Sequence, residues 1–185
     1  MKNNIDGRLL LSVHSKQICS EYELIGHDEN ALTYALGHSL SHDKKFLSSF
    51  LRLCNFKNVT SRNIGHAQID LQKKESESGI VDLEIFIEGR LHLIIEAKIG
   101  AGYPRISQIE PYVKRLDDKC AQARVVVLTK IIDDKIKYEL KKAFKERIYF
   151  LTWSDVLGLT EELASNDESI FDPNSFSSFL RKVYN

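Results

Sequence analysis

The segment that decides the fold spans residues 79–98 and reads GIVDLEIFIEGRLHLIIEAK. Apolar and polar residues alternate through its first half, and successive side chains of a strand point to opposite faces of a sheet. The pattern predicts a strand over residues 80–87 and, after a turn at residues 88–90, a second strand over residues 91–99. Together the two strands are expected to form an antiparallel hairpin.

The register of this hairpin follows from its apolar residues, because residues paired across a hairpin point to the same side of the sheet. Centring the turn on Gly89 brings both apolar sets to one face and places Asp82 opposite Glu96. Lys98 follows two residues further along the face of Glu96. The first apolar set is Val81, Leu83, Ile85 and Ile87, and the second is Leu91, Leu93, Ile95, Ala97 and Ile99.

Two carboxylates at directly opposed positions repel each other, since their Cβ atoms lie only about 5 Å apart. Asp82 and Glu96 therefore need a compensating cation. Lys98 supplies one positive charge. A divalent metal that prefers hard oxygen ligands, Mg²⁺ or Mn²⁺, would supply more.

The alternative interpretation is a solvated sheet face, because acids often decorate exposed strands. Glu84, Glu88 and His92 are expected on the same side of the hairpin as Asp82. The continuous apolar run at residues 93–95 favours instead a central strand that is covered on both faces.

The segments around the hairpin alternate between helical and strand periodicity. Three successive strands followed by alternating helices and strands predict an α/β fold, with a mixed central β-sheet flanked by helices. Asp28 is the expected N-cap of the first helix. The predicted helices cover about residues 28–40, 46–54, 107–120, 133–147, 154–164 and 175–184, and the further strands cover 59–71, 123–128 and 148–152.

Three local features refine this order. Ser107 to Glu110 match the capping box that starts a helix. Asn63 and Gly65 indicate a bend in the strand over residues 59–71. Near the N-terminus, one interpretation is a short amphipathic helix, which would carry Leu9, Leu10, Val13, Gln17 and Ile18.

The domain organisation is expected to be simple, because no long Gly/Ser-rich linker interrupts the chain. Residues 1–185 are predicted to form a single domain with a core over about 28–155. The N-terminal segment 1–27 and the C-terminal helix 175–184 are additions to that core. The apolar residues of this last helix, Phe176, Phe179, Leu180 and Val183, predict core packing.

Composition and charge exclude several classes of protein. The chain has 26 Lys and Arg against 26 Asp and Glu, so it does not coat nucleic acid through bulk charge. Cys19, Cys54 and Cys120 are isolated, which fits neither a zinc ribbon nor a thioredoxin motif and indicates a reducing compartment. Without a signal-peptide core or an apolar span, we expect a soluble cytoplasmic protein with no membrane partner.

The polar residues of the hairpin resemble, in type and spacing, the motif of a known protein family. Asp82, followed by Glu96-Ala97-Lys98 at the end of the next strand, is similar to the signature of the PD-(D/E)XK nuclease superfamily. Val81 stands where the name of the motif has Pro, a position that carries no chemistry. The resemblance implies the restriction-endonuclease-like αβββαβ core.

Further motifs extend the resemblance over roughly residues 29–155. They are Glu29 to Thr33, which match an E-x-x-x-T helix start; Gln108 and Tyr112, which match Q-x-x-x-Y; and Leu151-Thr152-Trp153, which resemble the strand and turn that close the core.

The resemblance implies a metal-dependent nuclease that hydrolyses phosphodiester bonds in DNA, in a defence, restriction or repair context. Asp82 and Glu96 would hold Mg²⁺, or Mn²⁺ in its place, with help from the backbone carbonyl of Ala97. Glu29 would reach the site from the first helix as an outer ligand or through water. Its alternative role is that of a first-turn acid favoured by the helix dipole.

The resemblance also assigns roles to cationic and polar residues. Lys98 would orient the attacking water or stabilise charge on the phosphate. Gln108 would orient Lys98 or the water, or is simply a surface residue. Tyr112 is expected to pack or to contact phosphate. Two basic sets are alternatives for binding the substrate backbone: Lys44, Lys45 and Arg52, or Arg105, Lys114 and Arg115.

Two rival functions remain at the level of sequence. One is a catalytically inactive nuclease-fold module that binds nucleic acid or a partner protein. The other is an unrelated α/β interaction domain in which the hairpin acids are decoration. A neutral chain of this size would need a homodimer or a partner protein to grip nucleic acid firmly.

Overall fold

Seven strands and six helices form the part of the chain that the computed structural model describes, which is residues 11–13, 16–18, 22, 26, 28–75, 79–100, 102–165 and 173–184. The strands are β1 (Leu11–Val13), β2 (Lys16–Ile18), β3 (Gln68–Glu75), β4 (Gly79–Ile87), β5 (Leu91–Ala97), β6 (Gln122–Thr129) and β7 (Ile148–Thr152). The helices are α1 (Glu29–His42), α2 (Lys44–Leu53), α3 (Ile106–Arg115), α4 (Asp134–Phe144), α5 (Trp153–Ser165) and α6 (Pro173–Tyr184).

A mixed five-stranded sheet lies at the centre, with strand order β3-β4-β5-β6-β7. The first three strands pair antiparallel, and β5-β6 and β6-β7 pair parallel. Every residue of the central strand β5 is buried, as its apolar run predicted. β1 and β2 form a separate two-stranded antiparallel hairpin.

Two apolar clusters cover the two faces of the sheet. The larger contains side chains of α1, α2, α5 and α6 together with Leu83, Ile85 and Ile95. The smaller contains side chains of α3 and α4 packed on Ile94 and Val125. Helices therefore flank the sheet on both faces, which confirms the predicted α/β architecture. The C-terminal helix contributes Phe176, Phe179 and Leu180 to the larger cluster, also as predicted.

Helix starts follow the expected capping chemistry in three cases, one of which is α4, where Asp133 accepts the N–H of Ile136. Asp28 caps α1, because its Oδ1 accepts the backbone N–H of Ala31 at 2.8 Å. Asp43 separates α1 from α2 and caps α2 by accepting from the N–H groups of Lys45 and Phe46. α1 also lies close against β3, since a Cβ built on Gly37 would come within 2.7 Å of Leu71 Cδ2.

The register predicted for the β4-β5 hairpin is confirmed. The paired residues run from Ile87–Leu91 to Leu83–Ile95, so the turn is centred on Gly89. The pairing ends there, and Asp82 and Glu96 are the next residues beyond it. On its other edge β4 pairs with β3 through Leu71–Leu83 and Lys73–Val81, without a recorded pair at Asp82.

This interruption corrects one prediction of the hairpin pattern. Val81 packs in the smaller cluster with α3, whereas Leu83, Ile85 and Ile87 pack in the larger one. The alternation of faces is broken at Asp82, where ladder pairs are missing on both sides.

Three further predictions were wrong in detail. Val13, Gln17 and Ile18 lie in strands, not in an amphipathic helix, while Leu9, Leu10 and Cys19 lie outside the described residues. Residues 59–67 form turns and irregular backbone, and the strand begins only at residue 68. α3 begins at Ile106 without a side-chain cap, so the capping box is absent, and it ends at Arg115. α5 begins at Trp153, within one residue of the predicted start, and Thr152 Oγ1 accepts the N–H of Asp155 there. None of the described helices is long and apolar enough to cross a membrane.

Candidate active site

The interruption at Asp82 creates a polar site at the end of the β4-β5 pair. Asp82 Oδ2 accepts the backbone N–H of Ala97 at 2.8 Å, a hydrogen bond from strand to side chain in place of a ladder bond. Asp82 Oδ1 accepts from Gln72 Nε2 at 3.0 Å. The carboxylate is thereby held between its two neighbouring strands.

Lys98 follows β5 directly and carries the central positive charge of the site. Its Nζ lies 2.8 Å from Glu96 Oε1 and 2.9 Å from Glu29 Oε1. Nζ also donates to the carbonyl oxygen of Ala97 at 2.9 Å. The backbone N–H of Lys98 bonds to Leu128 O on β6 at 2.8 Å, which anchors the residue to the sheet.

Two helices bring further side chains to this point. Glu29, the first residue of α1, contacts Lys98 through one oxygen and accepts the N–H of Ile99 through the other at 3.2 Å. Gln108, in the first turn of α3, donates from Nε2 to Glu96 Oε1. One helical turn later, Tyr112 donates its hydroxyl to the carbonyl of Ile80 at 2.9 Å. All five residues predicted for the site are thus brought together.

The electrostatics of the site favour added positive charge. Burial raises the pKa of Asp82 above its usual value, an effect only partly offset by the Ala97 N–H. Burial and the charge of Asp82 raise the pKa of Glu96. Burial alone would lower the pKa of Lys98, but its bonds to Glu96 and Glu29 outweigh that effect and raise it. Burial and the charge of Glu96 raise the pKa of Tyr112 to about 12.

Whether these residues suit a divalent metal depends on their donor atoms. Among the described residues, no three His, Cys, Asp or Glu side chains form a group that could hold a metal ion. The predicted set is of another kind, two carboxylates and the carbonyl oxygen of Ala97. All three are hard oxygen donors, the type that Mg²⁺ prefers. Because the half-buried Asp82 and the buried Glu96 both have a raised pKa and lie beside each other, the residues fit such an ion.

Sequence reasoning missed two residues of the site, Gln72 and Asn30. Gln72 Nε2 contacts both Asp82 Oδ1 and, at 3.3 Å, Asn30 Oδ1. Gln72 lay outside the strand predicted over residues 59–71, so its place opposite Asp82 was not recognised. The signal that could have found it is the antiparallel register of β3 on β4.

The interpretation of Glu84 and His92 as a solvated face was wrong. Both are buried, at 3% and 5% exposure. Glu84 accepts from His92 Nε2 at 2.7 Å, from Arg115 Nε at 3.1 Å and from Lys73 Nζ at 2.9 Å. His92 Nδ1 accepts the backbone N–H of Asp117, so Nε2 carries the proton that is donated to Glu84.

This network also changes the choice of basic residues that could meet a phosphate. The Arg115 side chain is buried and paired with Glu84, so it is not available to a phosphate. Lys114 is exposed and pairs with Glu110 one turn earlier. Lys44 and Lys45 lie beyond the far end of α1, about 21 Å from Glu29 at 1.5 Å per residue. Arg105, the exposed N-cap residue of α3, lies three residues before Gln108 in the chain.

Comparisons with known proteins give two matches. A family model described as the PD-(D/E)XK nuclease superfamily matches residues 22–185. A solved structure of the MspJI restriction endonuclease in complex with a 27-mer oligonucleotide is similar, with a TM-score of 0.45 and 13% sequence identity. The match covers 88% of this chain and 33% of that one, so this chain spans about a third of its length. No curated protein sequence matches.

Proposed function

Because the chain belongs to the PD-(D/E)XK nuclease superfamily, we propose that it is a divalent-metal-dependent nuclease that hydrolyses phosphodiester bonds in DNA. The observation that supports the proposal is the convergence of Asp82, Glu96 and Lys98 at one end of the sheet. Glu29 and Gln108 contact this group from helices on opposite faces of the sheet. A degenerate copy of the fold would be expected to have lost part of this set.

The proposed ligands of the ion are the carboxylates of Asp82 and Glu96 and the carbonyl oxygen of Ala97. Mg²⁺ is the proposed ion, and Mn²⁺ should substitute. When bound, such an ion acts as a Lewis acid on a phosphoryl oxygen and makes water at the site more acidic. Glu29 is proposed to act from outside this set, as an outer ligand or through water, and its two oxygens contact Lys98 Nζ and the Ile99 N–H.

Lys98 is proposed to act as a hydrogen-bond donor rather than as a base. Its raised pKa keeps the ammonium group charged at neutral pH, so it has no lone pair with which to take a proton from water. A fixed positive charge stabilises the negative charge that develops on phosphate oxygens in the transition state. Glu29 and Glu96 hold the ammonium group from two sides, which limits where it points.

Gln108 is proposed to orient Glu96. Its amide Nε2 donates to Glu96 Oε1, the same oxygen that contacts Lys98. A carboxylate oxygen has two lone pairs, so these two donors occupy Oε1. Tyr112 also forms a hydrogen bond with the Glu96 carboxylate.

The setting of the enzyme is also a proposal. Residues 1–185 would form one nuclease domain, supported by the two clusters that pack on one sheet. The free thiols of Cys54 and Cys120 support a reducing compartment such as the cytoplasm. A role in defence, restriction or repair, and a homodimer or partner protein that helps to grip DNA, rest on the family alone.

A cleavage assay tests the proposal on circular and linear duplex DNA, single-stranded DNA and RNA, with Mg²⁺, Mn²⁺ or EDTA. The proposal predicts cutting of DNA with either metal, none with EDTA, and loss of cutting in Asp82→Asn. Asp118→Asn is the matched control, because Asp118 is 84% exposed and far from the site in the fold. Cutting of RNA alone would overturn the choice of DNA. No cutting and no Mn²⁺ binding by the folded protein would favour an inactive module.

A further inference from the structure

Gln72 on β3 contacts both halves of the candidate site with one amide group. Its Nε2 donates to Asp82 Oδ1 at 3.0 Å and to Asn30 Oδ1 at 3.3 Å. Asn30 follows Glu29 in the first turn of α1. One nitrogen with two hydrogens therefore links the carboxylate on β4 to the helix that carries Glu29.

The backbone at Gln72 has an unusual conformation for a strand residue. Its φ is +49°, in the left-handed region that residues other than glycine rarely adopt. The recorded β3-β4 pairs lie on either side of it, at Leu71–Leu83 and Lys73–Val81. Strained backbone of this kind persists where surrounding contacts enforce it, and it is concentrated at functional sites.

The geometry leaves Asp82 oriented but still able to bind a cation. Oδ1 accepts from Gln72 and Oδ2 accepts from the Ala97 N–H, one donor on each oxygen. A carboxylate oxygen has two lone pairs, so each oxygen keeps one for a metal. Partners that fix a ligating carboxylate in this way raise metal affinity by roughly 10- to 100-fold.

The close packing of α1 on β3 makes the contact with Asn30 feasible. Gly37 allows the Leu71 side chain to lie against the α1 backbone, at a distance that a Cβ would not permit. Leu71 is the residue directly before Gln72. β3 therefore packs against the third turn of α1 at Gly37, and the Gln72 amide contacts Asn30 in the first turn.

We propose that Gln72 is a positioning residue that orients the Asp82 carboxylate for a divalent cation and couples it to the first turn of α1. This inference rests on the proposed function, since it assigns to Gln72 a part in the same site. Gln72 is not proposed to touch substrate or metal.

Calorimetric titration with Mn²⁺ alone tests the inference without a nucleic-acid substrate. Gln72→Gly removes the amide and suits the left-handed backbone, whereas Gln72→Met removes the amide and keeps the length of the side chain. Both variants should bind Mn²⁺ about 10-fold or more weakly than wild type. The melting temperature of Gln72→Gly should stay within about 4 °C of wild type, because relief of backbone strain offsets the cost of glycine in a strand.

Two matched controls isolate the role of the amide. Gln68→Met removes another Gln–Asp hydrogen bond on β3, that of Gln68 with Asp70, away from the site. Lys145→Gly changes another residue of positive φ, at +52°, after α4. Both controls should bind Mn²⁺ as wild type does.

Each outcome decides between the alternatives. If both Gln72 variants bind Mn²⁺ with wild-type affinity, the inference is overturned. The same holds if the variants are less stable than wild type but their Mn²⁺ affinity is unchanged. If Gln72→Met does not fold, Gln72→Gly decides. Absence of both Mn²⁺ binding and cleavage in wild type would instead overturn the proposed function. If wild type cleaves DNA and binds Mn²⁺, and the Gln72 variants bind Mn²⁺ equally well, only the role of Gln72 is overturned.

Discussion

Replacing Arg115 by Met should weaken the fold, because it leaves Glu84 as a buried carboxylate without two of its donors. Arg115 Nε lies 3.1 Å from Glu84 Oε1, and Arg115 Nη2 lies 2.5 Å from Glu84 Oε2. The side chains are only 4% and 3% exposed. Removing one partner of a buried ion pair strands the other charge in a poorly solvated place.

The magnitude follows from the pKa of Glu84. Burial alone would raise that pKa, but bonds from His92, Lys73 and Arg115 outweigh burial and lower it from 4.5 to about 2. At 1.36 kcal/mol per pKa unit, this corresponds to about 3 kcal/mol of stability at neutral pH. Breaking a buried pair costs about 3–5 kcal/mol in general. The pKa figure is shared among three donors, so for Arg115→Met we take the lower end of the general cost, about 3 kcal/mol, or roughly 6–12 °C in melting temperature.

The pH dependence has a definite sign. Because the pKa of Glu84 is lower in the folded than in the unfolded state, its contribution is complete above pH 4.5 and is lost as pH falls towards 2. The stability difference between wild type and Glu84→Gln should therefore shrink over that window.

Urea unfolding at pH 7 and at pH 3 measures these differences in wild type, Arg115→Met, Glu84→Gln and the double variant. The double variant should be more stable than Arg115→Met, because it carries no stranded charge. Arg147→Met is the control, since Arg147 pairs with Asp118 at the surface. Arg115→Met within about 0.5 kcal/mol of wild type at pH 7 would refute the reasoning, since only surface pairs are worth so little.

Three further predictions concern single residues. Asp43→Ala should lower the unfolding free energy by about 1–2 kcal/mol in urea titration, since Asp43 caps the N–H groups of Lys45 and Phe46; unchanged stability would contradict the cap. Lys98→Met should reduce the cleavage rate about 100-fold or more in single-turnover kinetics while Mn²⁺ still binds; a wild-type rate would exclude the proposed donor role. Glu29→Gln should reduce the rate less than Lys98→Met, because it frees Lys98 on one side only; loss of all Mn²⁺ binding would make Glu29 a direct ligand.

The hairpin was predictable because its alternating residues allow one register only. Any slip by one residue would bury Asp82 or Glu84 among the apolar set. The same logic located Asp82, Glu96 and Lys98 together, and the family motifs supplied Glu29 and Gln108. These predictions used local periodicity and short spacings, which sequence carries directly.

What sequence could not supply depends on contacts between distant segments. Gln72 meets Asp82 only because β3 pairs with β4, and the start of β3 was misplaced in a stretch of turns. The break in strand pairing at Asp82, which turns Val81 towards α3, cannot be recognised from the alternating sequence pattern. It follows from the hydrogen bonds that Asp82 makes to its two neighbours.

Glu84 and His92 illustrate a further limit. The sequence pattern of a strand with acids two residues apart is the same whether that face is exposed to solvent or packed under a helix. Here α3 covers them, and Arg115 from its last turn makes burial of Glu84 tolerable. Asp82 and Glu84 lie two residues apart on β4, yet one belongs to the candidate site and the other to the core.

The measurement that tests the account most directly is Mg²⁺-dependent cleavage of plasmid DNA by Glu96→Gln under single-turnover conditions. Glu110→Gln serves as the control, because Glu110 is exposed on α3 and pairs only with Lys114 in the described part of the chain. The account predicts cutting by wild type and by Glu110→Gln, with loss of about 100-fold or more in Glu96→Gln. Cutting at the wild-type rate by folded Glu96→Gln would contradict the placement of the catalytic site at Asp82, Glu96 and Lys98.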